Sequence, residues 1–397
     1  MHRVTVTRGV VAAASLVLSV LAACSLTVSP GDYAQGGTSD AAAPRPPVPA
    51  GGARVLLLAG QRKAVGTADL DWSIEETMAG IIESDGTVGQ FLYDRAPPIE
   101  TSDYSQATID NGRLLITAFV RGRFRGQPTP PRLAFAPIDT GSGAITRDWS
   151  MVEMDASAVP SQSSVSLVRP TMLVASGGVE PATLEDGGPT TVLSAKVLAA
   201  SVDLDGRKAA WAPLEGALSG ARSGARSFVH KDFLYVIGGR VEGGALSDVV
   251  DVTRLGADGK PGAFTAATKL PVAMGIPEVI SAAGKLFVVG GLTSGDRVTA
   301  KVFAAPINEA DGTLGPWVEG PAMPAALALG AVAFHGNRLY YFGGIAQTLN
   351  DAGAVADQNP TDGIYALDVA ADGTLGTWRP VGKLPAPRGG LAAVVLP

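Results

Sequence analysis

The stretch RLYYFGG, residues 338 to 344, decides the fold because close copies of it recur along the chain. Each copy is a short apolar run that ends in two glycines. The clearest copies are FLYVIGG (233–239) and LFVVGG (286–291), and MLVASGG (172–178) is a looser one. VLLLAG (55–60) and LLITAFVRG (114–122) resemble the phrase more distantly. A phrase that returns at intervals of this length predicts a repeat architecture.

A second phrase alternates with the first. It is clearest as DGTLGPW (311–317) and DGTLGTW (372–378), and each copy ends in an aromatic residue. The six aromatic residues are Phe91, Trp149, Trp211, Phe264, Trp317 and Trp378, separated by 58, 62, 53, 53 and 61 residues. This strict alternation indicates six similar units.

One unit can be interpreted from its parts. AKVFAAPI (300–307) is an apolar strand, and the Asp-Gly pair after it is typical of a hairpin turn. A second strand follows with Trp317 as its buried anchor, and a Pro-rich loop leads to LGAVAFHG (329–336) and the double-glycine strand. The pattern predicts four antiparallel strands per unit and no helix. We expect the glycine pairs to allow a positive φ or a close backbone approach.

These motifs resemble those of kelch-repeat β-propellers over residues 54–397. The resemblance implies an all-β, six-bladed kelch-like propeller. The chain ends in GLAAVVLP (390–397), the innermost strand of a blade whose next strand is ARVLLLAG (53–60). We therefore expect N- and C-terminal strand closure of one blade. The chain departs from the kelch pattern in one respect, since only Tyr365 could fill the usual tyrosine position.

The N-terminus has the pattern of an export signal. Arg3 and Arg8 flank a basic region, a 12-residue apolar run follows from Val10 to Leu21, and LAAC ends at Cys24. This resembles a bacterial lipobox, which implies a signal peptide over residues 1–23, cleavage before Cys24 and acylation of its thiol, for example with palmitate. An ordinary signal peptide cut elsewhere is the alternative. Cys24 is the only cysteine, so it cannot form an internal disulfide.

This signal also predicts the cellular location of the protein. Residues 24–53 are poor in large apolar residues and are expected to form a flexible tether. Ser25 after the cysteine, by resemblance to Gram-negative lipoproteins, favours the outer membrane of the cell envelope. A net charge of -6 argues against a general nucleic-acid binder. We expect a monomer whose partners are the membrane, through Cys24, and an envelope protein, acidic peptide or glycan.

Arginines are the candidate ligand-binding residues, because guanidinium groups suit carboxylate or phosphate recognition. Kelch propellers use the loops on one face, and mapping those loops here brings several arginines to that face. The candidates are Arg62, Arg121, Arg123, Arg222, Arg226, Arg240 and Arg388. Acids in adjacent loops, such as Asp296, could already pair with them. The arginines would then brace neighbouring blades.

Catalytic chemistry has little support in the sequence. His230 and His335 are predicted in turns on the face opposite the arginines, and no metal, cofactor or nucleophile motif is present. A copper radical oxidase would need a cysteine that the mature chain lacks. The sequence therefore favours a non-enzymatic, membrane-tethered binding module. The alternative is a mutarotase- or epimerase-like enzyme acting on an anionic sugar at the channel mouth.

Overall fold

The computed structural model describes residues 45–58, 60, 62–63, 70–71, 77–95, 97, 106–119, 131–154, 159–169, 171–184 and 188–396. The predicted signal peptide, Cys24, Arg121 and Arg123 lie outside these residues. Within them the chain is all-β, with one 3-10 turn at Glu242–Gly244. No helix in this part of the chain is long and apolar enough to cross a membrane.

The strands, in chain order, are β1 (Ala53–Leu58), β2 (Arg62–Lys63), β3 (Leu70–Asp71), β4 (Thr77–Ile82), β5 (Val88–Asp94), β6 (Gln106–Asp110), β7 (Arg113–Phe119), β8 (Pro131–Pro137), β9 (Ser150–Met151), β10 (Glu153–Met154), β11 (Ser164–Arg169), β12 (Met172–Thr183), β13 (Pro189–Asp203), β14 (Lys208–Ala217), β15 (Arg226–His230), β16 (Phe233–Ile237), β17 (Val250–Arg254), β18 (Thr265–Ala266), β19 (Glu278–Ala282), β20 (Lys285–Val289), β21 (Leu292–Thr293), β22 (Arg297–Val298), β23 (Val302–Pro306), β24 (Val318–Glu319), β25 (Ala331–His335), β26 (Arg338–Phe342), β27 (Ile345–Leu349), β28 (Val355–Pro360), β29 (Gly363–Val369), β30 (Leu375–Lys383) and β31 (Ala392–Leu396).

The strands form a propeller-like arrangement of small antiparallel sheets. Three sheets have four strands, in the orders β6-β7-β8-β9, β15-β16-β17-β18 and β19-β20-β23-β24. A fourth has the order β11-β12-β13-β14, and β10 adds to its outer edge. An eight-stranded sheet divides into β25-β26-β29-β30 and β31-β1-β4-β5, which meet at one parallel bridge between Gly382 and Val88. Three two-stranded sheets are also present, β2-β3, β21-β22 and β27-β28.

Packing between sheets explains the sequence pattern of the inner strands. The second strand of a sheet lies between two neighbouring sheets, so both of its faces are covered. β16 (FLYVI) is accordingly buried at every position, whereas the outer strand β14 alternates between exposed and less exposed positions. The first strands lie side by side around the centre, in the contact order β6, β11, β15, β19, β25 and β31, and β31 returns to β6.

The two ends of the fold close one sheet, as the sequence predicts. β31 pairs antiparallel with β1 in a register that runs from Arg54 opposite Leu396 to Leu58 opposite Ala392. β1 pairs on its other side with β4, and all six of its residues are buried. The first apolar run of the folded part therefore lies next to the last.

Tryptophans of the second motif connect neighbouring sheets at the periphery. The indole Nε1 of Trp317 donates to the carbonyl of Thr268 at 2.9 Å, and Trp378 donates to Pro321 at 3.0 Å. Trp149 makes the same kind of contact with Arg95, at 2.9 Å. Trp317 is only half-buried, because its ring lies at the outer edge. The expectation of a buried anchor is therefore wrong for Trp317, and its role is a contact between sheets.

Candidate functional site

The arrangement has two ends, a mouth and a base. The mouth is the end at which the first strands begin, marked by Arg226 on β15 and Glu278 on β19. The base is the opposite end, marked by His230 and His335, where β15 and β25 finish. Both histidines thus lie at the end of a first strand, away from the arginine candidates, as the sequence indicates.

The double glycines hold neighbouring sheets together at the mouth. In each pair, the N–H of the second glycine donates to a loop carbonyl of the next unit at 2.8 or 2.9 Å. The first glycine has a positive φ of 58 to 68°, and a β-carbon there would lie 2.3 to 2.5 Å from the same carbonyl oxygen. The accepting residues are Arg222, Met274, Leu327 and Arg388. The glycines therefore act in packing, as the sequence predicts.

Arg222 and Arg388 share this position with apolar residues. Arg222 and Arg388 are 1% exposed, and Met274 and Leu327 are fully buried. The Arg222 guanidinium donates to the carboxylate of Asp251 on β17 at 2.7 Å, and to the Val236 carbonyl at 3.2 Å. Both side chains of the ion pair are excluded from solvent. Arg222 thus braces its own unit, and a ligand-binding role for Arg222 and Arg388 stays an untested prediction that their burial disfavours.

Arg226 and Glu278 form the charged pair at the mouth. Arg226 donates to the Glu278 carboxylate at 2.8 Å and joins the first strands of two successive sheets. The Arg226 side chain is 13% exposed, and that of Glu278 only 3%. Burial raises the pKa of Glu278 to about 7, although the Arg226 charge lowers it. The pair therefore combines a cation that solvent reaches with a carboxyl group that titrates near neutrality.

Tyr341 on β26 lies close enough to this pair to respond to its charges. Its side chain is buried, and its hydroxyl accepts the N–H of Gly330 at 3.1 Å. Burial raises the pKa of Tyr341 well above its ordinary value, and the Glu278 charge adds to that effect. The hydroxyl consequently stays protonated at all ordinary pH values.

Serines and one glutamine make further polar contacts at the mouth, on the side of Arg226 that is away from Glu278. The Ser227 hydroxyl accepts a hydrogen bond from the Ser164 hydroxyl at 2.7 Å, and the Ser227 N–H donates to Ser164 Oγ at 2.6 Å. The hydroxyls of Ser166 and Ser227 are also 2.7 Å apart. Gln106 on β6 donates to the Ser227 carbonyl at 2.8 Å across the intervening strand β11. The first strands are therefore linked by polar groups at this end.

Loops around the mouth are linked to one another in a collar, defined by Arg240, residues 292–298 and residues 345–360. Arg240 pairs with Asp296, and Gln347 donates to the Asp296 carbonyl at 2.9 Å and accepts Val298 N–H at 3.0 Å. Arg297 donates to the Gly353 carbonyl. Arg240 thus has an acidic partner, as Arg222 and Arg226 do, which is the alternative that the sequence leaves open for these arginines.

The structure brings together only part of the predicted arginine set. Arg226 and Arg240 lie at the mouth, Arg222 and Arg388 lie inside the packing, and Arg121 and Arg123 fall outside the described residues. Arg62 belongs to β2, but its side chain is not described. The sequence interpretation missed Glu278 and Tyr341. Glu278 gives a usable signal, because it is the one charged residue of a mainly apolar strand and stands at its first position.

Among the described residues, neither metal-ligand clusters nor cavities indicate a functional site away from the mouth. No cluster of three or more potential metal ligands occurs among the described residues. One cavity, of about 500 Å³, is lined by the β10 residues and the start of β14. Another, of about 470 Å³, is lined by residues 336–338 and 368–376. Both are open depressions near the base, and neither contains a buried acid–base pair.

Comparison with known proteins supports the fold alone. No protein-family model matches the chain, and no curated protein matches it. The chain is similar to the solved structure of YjhT, with a TM-score of 0.54 and 15% sequence identity, covering 74% of this chain and 87% of that one. Similarity at this level supports the propeller-like arrangement, and membership of the kelch-repeat family stays a prediction.

Proposed function

We propose that this protein is a lipid-tethered, six-bladed propeller that binds an anionic protein, peptide or glycan at its mouth. The observation that carries the binding proposal is the position of Arg226. Its guanidinium is paired with Glu278, is partly exposed, and lies at the same end of the arrangement as the collar. Arginine recognises carboxylates through two parallel N–H donors, so this placement suits an anionic ligand.

A repeated contact at the base supports the six-bladed arrangement. A basic side chain at the base of one sheet donates a hydrogen bond to a carbonyl in the Asp-Gly turn of the next sheet. Lys285 Nζ, for example, donates to the Gly373 carbonyl at 2.8 Å. Arg254 makes the same contact with Ala310. Arg338, in the last full unit, donates to Ser84 of the first at 3.3 Å. The same kind of contact therefore crosses the seam between the two ends of the chain.

The lipid tether can be tested separately from binding. Replacing Cys24 by Ala should release the protein into the soluble fraction and abolish incorporation of labelled fatty acid, because sulfur carries the acyl groups. Membrane association that survives the substitution, with the acyl label retained elsewhere, would remove the lipoprotein proposal. Binding at the mouth would be unaffected by either result.

Binding can be tested by thermal shift with anions of different classes. The probes are glucuronate, N-acetylneuraminate and an acidic peptide, each compared with its neutral analogue. An anion that binds should raise the melting temperature less as salt increases, because screening weakens its attraction to Arg226. The Arg226→Gln variant should lose the shift, whereas Arg254→Gln, a matched change at the base, should keep it. Equal responses of both variants would overturn the proposal.

Catalysis on an anionic sugar is the second candidate, and the position of the Glu278 carboxyl group beside Arg226 at the mouth favours it. A carboxyl group with a pKa of about 7 can both accept and donate a proton near neutral pH. Opening and closing of a sugar ring requires proton transfer from the anomeric hydroxyl and to the ring oxygen. NMR exchange between the anomers of each sugar acid tests this role. A rate increase lost in Glu278→Gln would establish catalysis, and an unchanged rate with tight binding would establish a binding module.

A further inference from the structure

The residues before β1 pack against the base of the propeller. Arg54, the second residue of β1, donates through Nη2 to the Pro46 carbonyl at 2.6 Å. Further along, the Gly51 carbonyl accepts a hydrogen bond from His335 Nε2 at 3.3 Å. His335 ends β25, so Gly51 lies at the end opposite Arg226. The last part of the predicted tether, residues 45–52, therefore contacts the folded part of the chain.

A buried ion pair holds this segment. The guanidinium of Arg45 pairs with the carboxylate of Asp94, and the two side chains are 4% and 0% exposed. Asp94 also accepts the N–H of Ile145, which belongs to the following unit, at 3.0 Å. Arg45 is thus attached at the seam between the first two units. Release of the segment would leave the Asp94 charge buried without its cationic partner, which is costly.

We infer that this attachment turns the base toward the membrane and the mouth away from it. The inference rests on the proposed acylation of Cys24. Residues 25–44, for which the sequence predicts a flexible tether, separate that anchor from Arg45, and a tether of about 20 residues would have a root-mean-square span of about 25 Å. A folded body of this size has a radius of gyration of about 20 Å. For the mouth to face the lipid, the tether would have to extend around the whole body.

Energy transfer to a labelled membrane tests the orientation. The acylated full chain is reconstituted into phosphatidylethanolamine–phosphatidylglycerol vesicles that contain a headgroup-labelled acceptor lipid. A donor is attached through Ser294→Cys in the collar or Ala371→Cys at the base, both exposed positions. Since Cys24 is the only native cysteine and is blocked by acylation, each variant has one free thiol. We expect higher transfer efficiency from position 371 than from position 294.

The controls separate orientation from anchoring. Arg45→Gln with Asp94→Asn should reduce the difference between the two positions, because residues 45–52 then lengthen the tether. If the chain does not float with vesicles, the acylation proposal fails. Orientation is then measured with Cys24 coupled to a maleimide lipid and donors on p-azidophenylalanine at positions 294 and 371. Equal transfer from both positions, or more from position 294, in either format would overturn the inference.

Discussion

Arg226 on β15 and Glu278 on β19 are joined by a 2.8 Å ion pair that connects two neighbouring sheets at the mouth. Glu278 begins its strand and is 2% exposed, so its charge is stabilised mainly by that one arginine. The pair is therefore sensitive to pH in a way that surface ion pairs of this protein are not.

Stability should fall as pH rises toward neutrality because of Glu278. Its pKa is about 7 in the folded state and 4.5 ordinarily, so the folded state binds the proton more tightly. This contribution is fully present below about pH 4.5 and disappears as pH rises through about 7, a change of about 3 kcal/mol. Urea unfolding across this range should show a smaller change for Glu278→Gln than for the parent chain.

Glu309 provides the matched control for that experiment. It is exposed at the base, where hydrogen bonds from Lys231 and His230 lower the pKa of its carboxyl group. Glu309→Gln should therefore leave the fall in stability toward neutral pH in place. Parallel pH profiles for the parent chain and Glu278→Gln would show that the Glu278 carboxyl group is not desolvated.

Arg222 should be replaceable only together with Asp251. Arg222→Ala leaves a buried carboxylate without its partner and should cost about 3–5 kcal/mol in the free energy of unfolding. The next unit has Met274 and Phe303 at the corresponding places, both buried in one apolar cluster. The double change Arg222→Met with Asp251→Phe should be neutral or stabilising by about 1–4 kcal/mol. Denaturant unfolding that finds the double variant less stable than Arg222→Ala would show that the ion pair itself is required.

Gly290→Ala should destabilise the fold much more than Gly284→Ala, because Gly290 lies at the contact between two neighbouring sheets. Both glycines have a positive φ, 62° and 69°, which costs about 1–2 kcal/mol for alanine. A β-carbon at Gly290 would lie 2.5 Å from the Leu327 carbonyl oxygen, whereas Gly284 has no atom within 4 Å. Thermal melting of both variants separates the backbone cost from the clash. Equal melting temperatures would mean that the two sheets can move apart at this contact without loss of stability.

Deleting residues 390–397 should abolish cooperative folding. It removes β31, leaves β1 without its inner partner and exposes apolar residues on both strands. Loss of a central strand should cost several kcal/mol, a large share of a typical stability of about 5–15 kcal/mol. A truncated chain that melts at the parent temperature would show that the fold does not need this closure.

Local patterns were sufficient to predict the strands and their closure. The RLYYFGG phrase predicts β26 and its glycines, and the final GLAAVVLP predicts the pairing of β31 with β1. Both predictions depend on residues close in sequence or on a repeat of known spacing. Contacts between distant loops have no such signal, so Arg222 could not be distinguished from an exposed arginine. Its burial depends on Asp251, which lies 29 residues away.

Composition alone does not show the contacts at the other boundary of the fold. Residues 45–52 are rich in proline and glycine, so the sequence places them in the predicted flexible tether. Arg45 nevertheless pairs with Asp94, about 50 residues further along, and composition carries no signal of so distant a partner. Glu278 was overlooked for a related reason, since the partner that makes it informative, Arg226, belongs to another unit.

The closing pair of strands also determines where the chain could be cut and rejoined. Leu396 lies opposite Arg54, just as His335 lies opposite Arg338 in the preceding unit. There, Gly336 and Asn337 alone join the two strands, both with a positive φ. A turn of about two residues could therefore join residue 396 to residue 54, and new termini could be opened in another hairpin. The position of the chain ends in this fold is thus one choice among several permutations that would keep the same strand pairings.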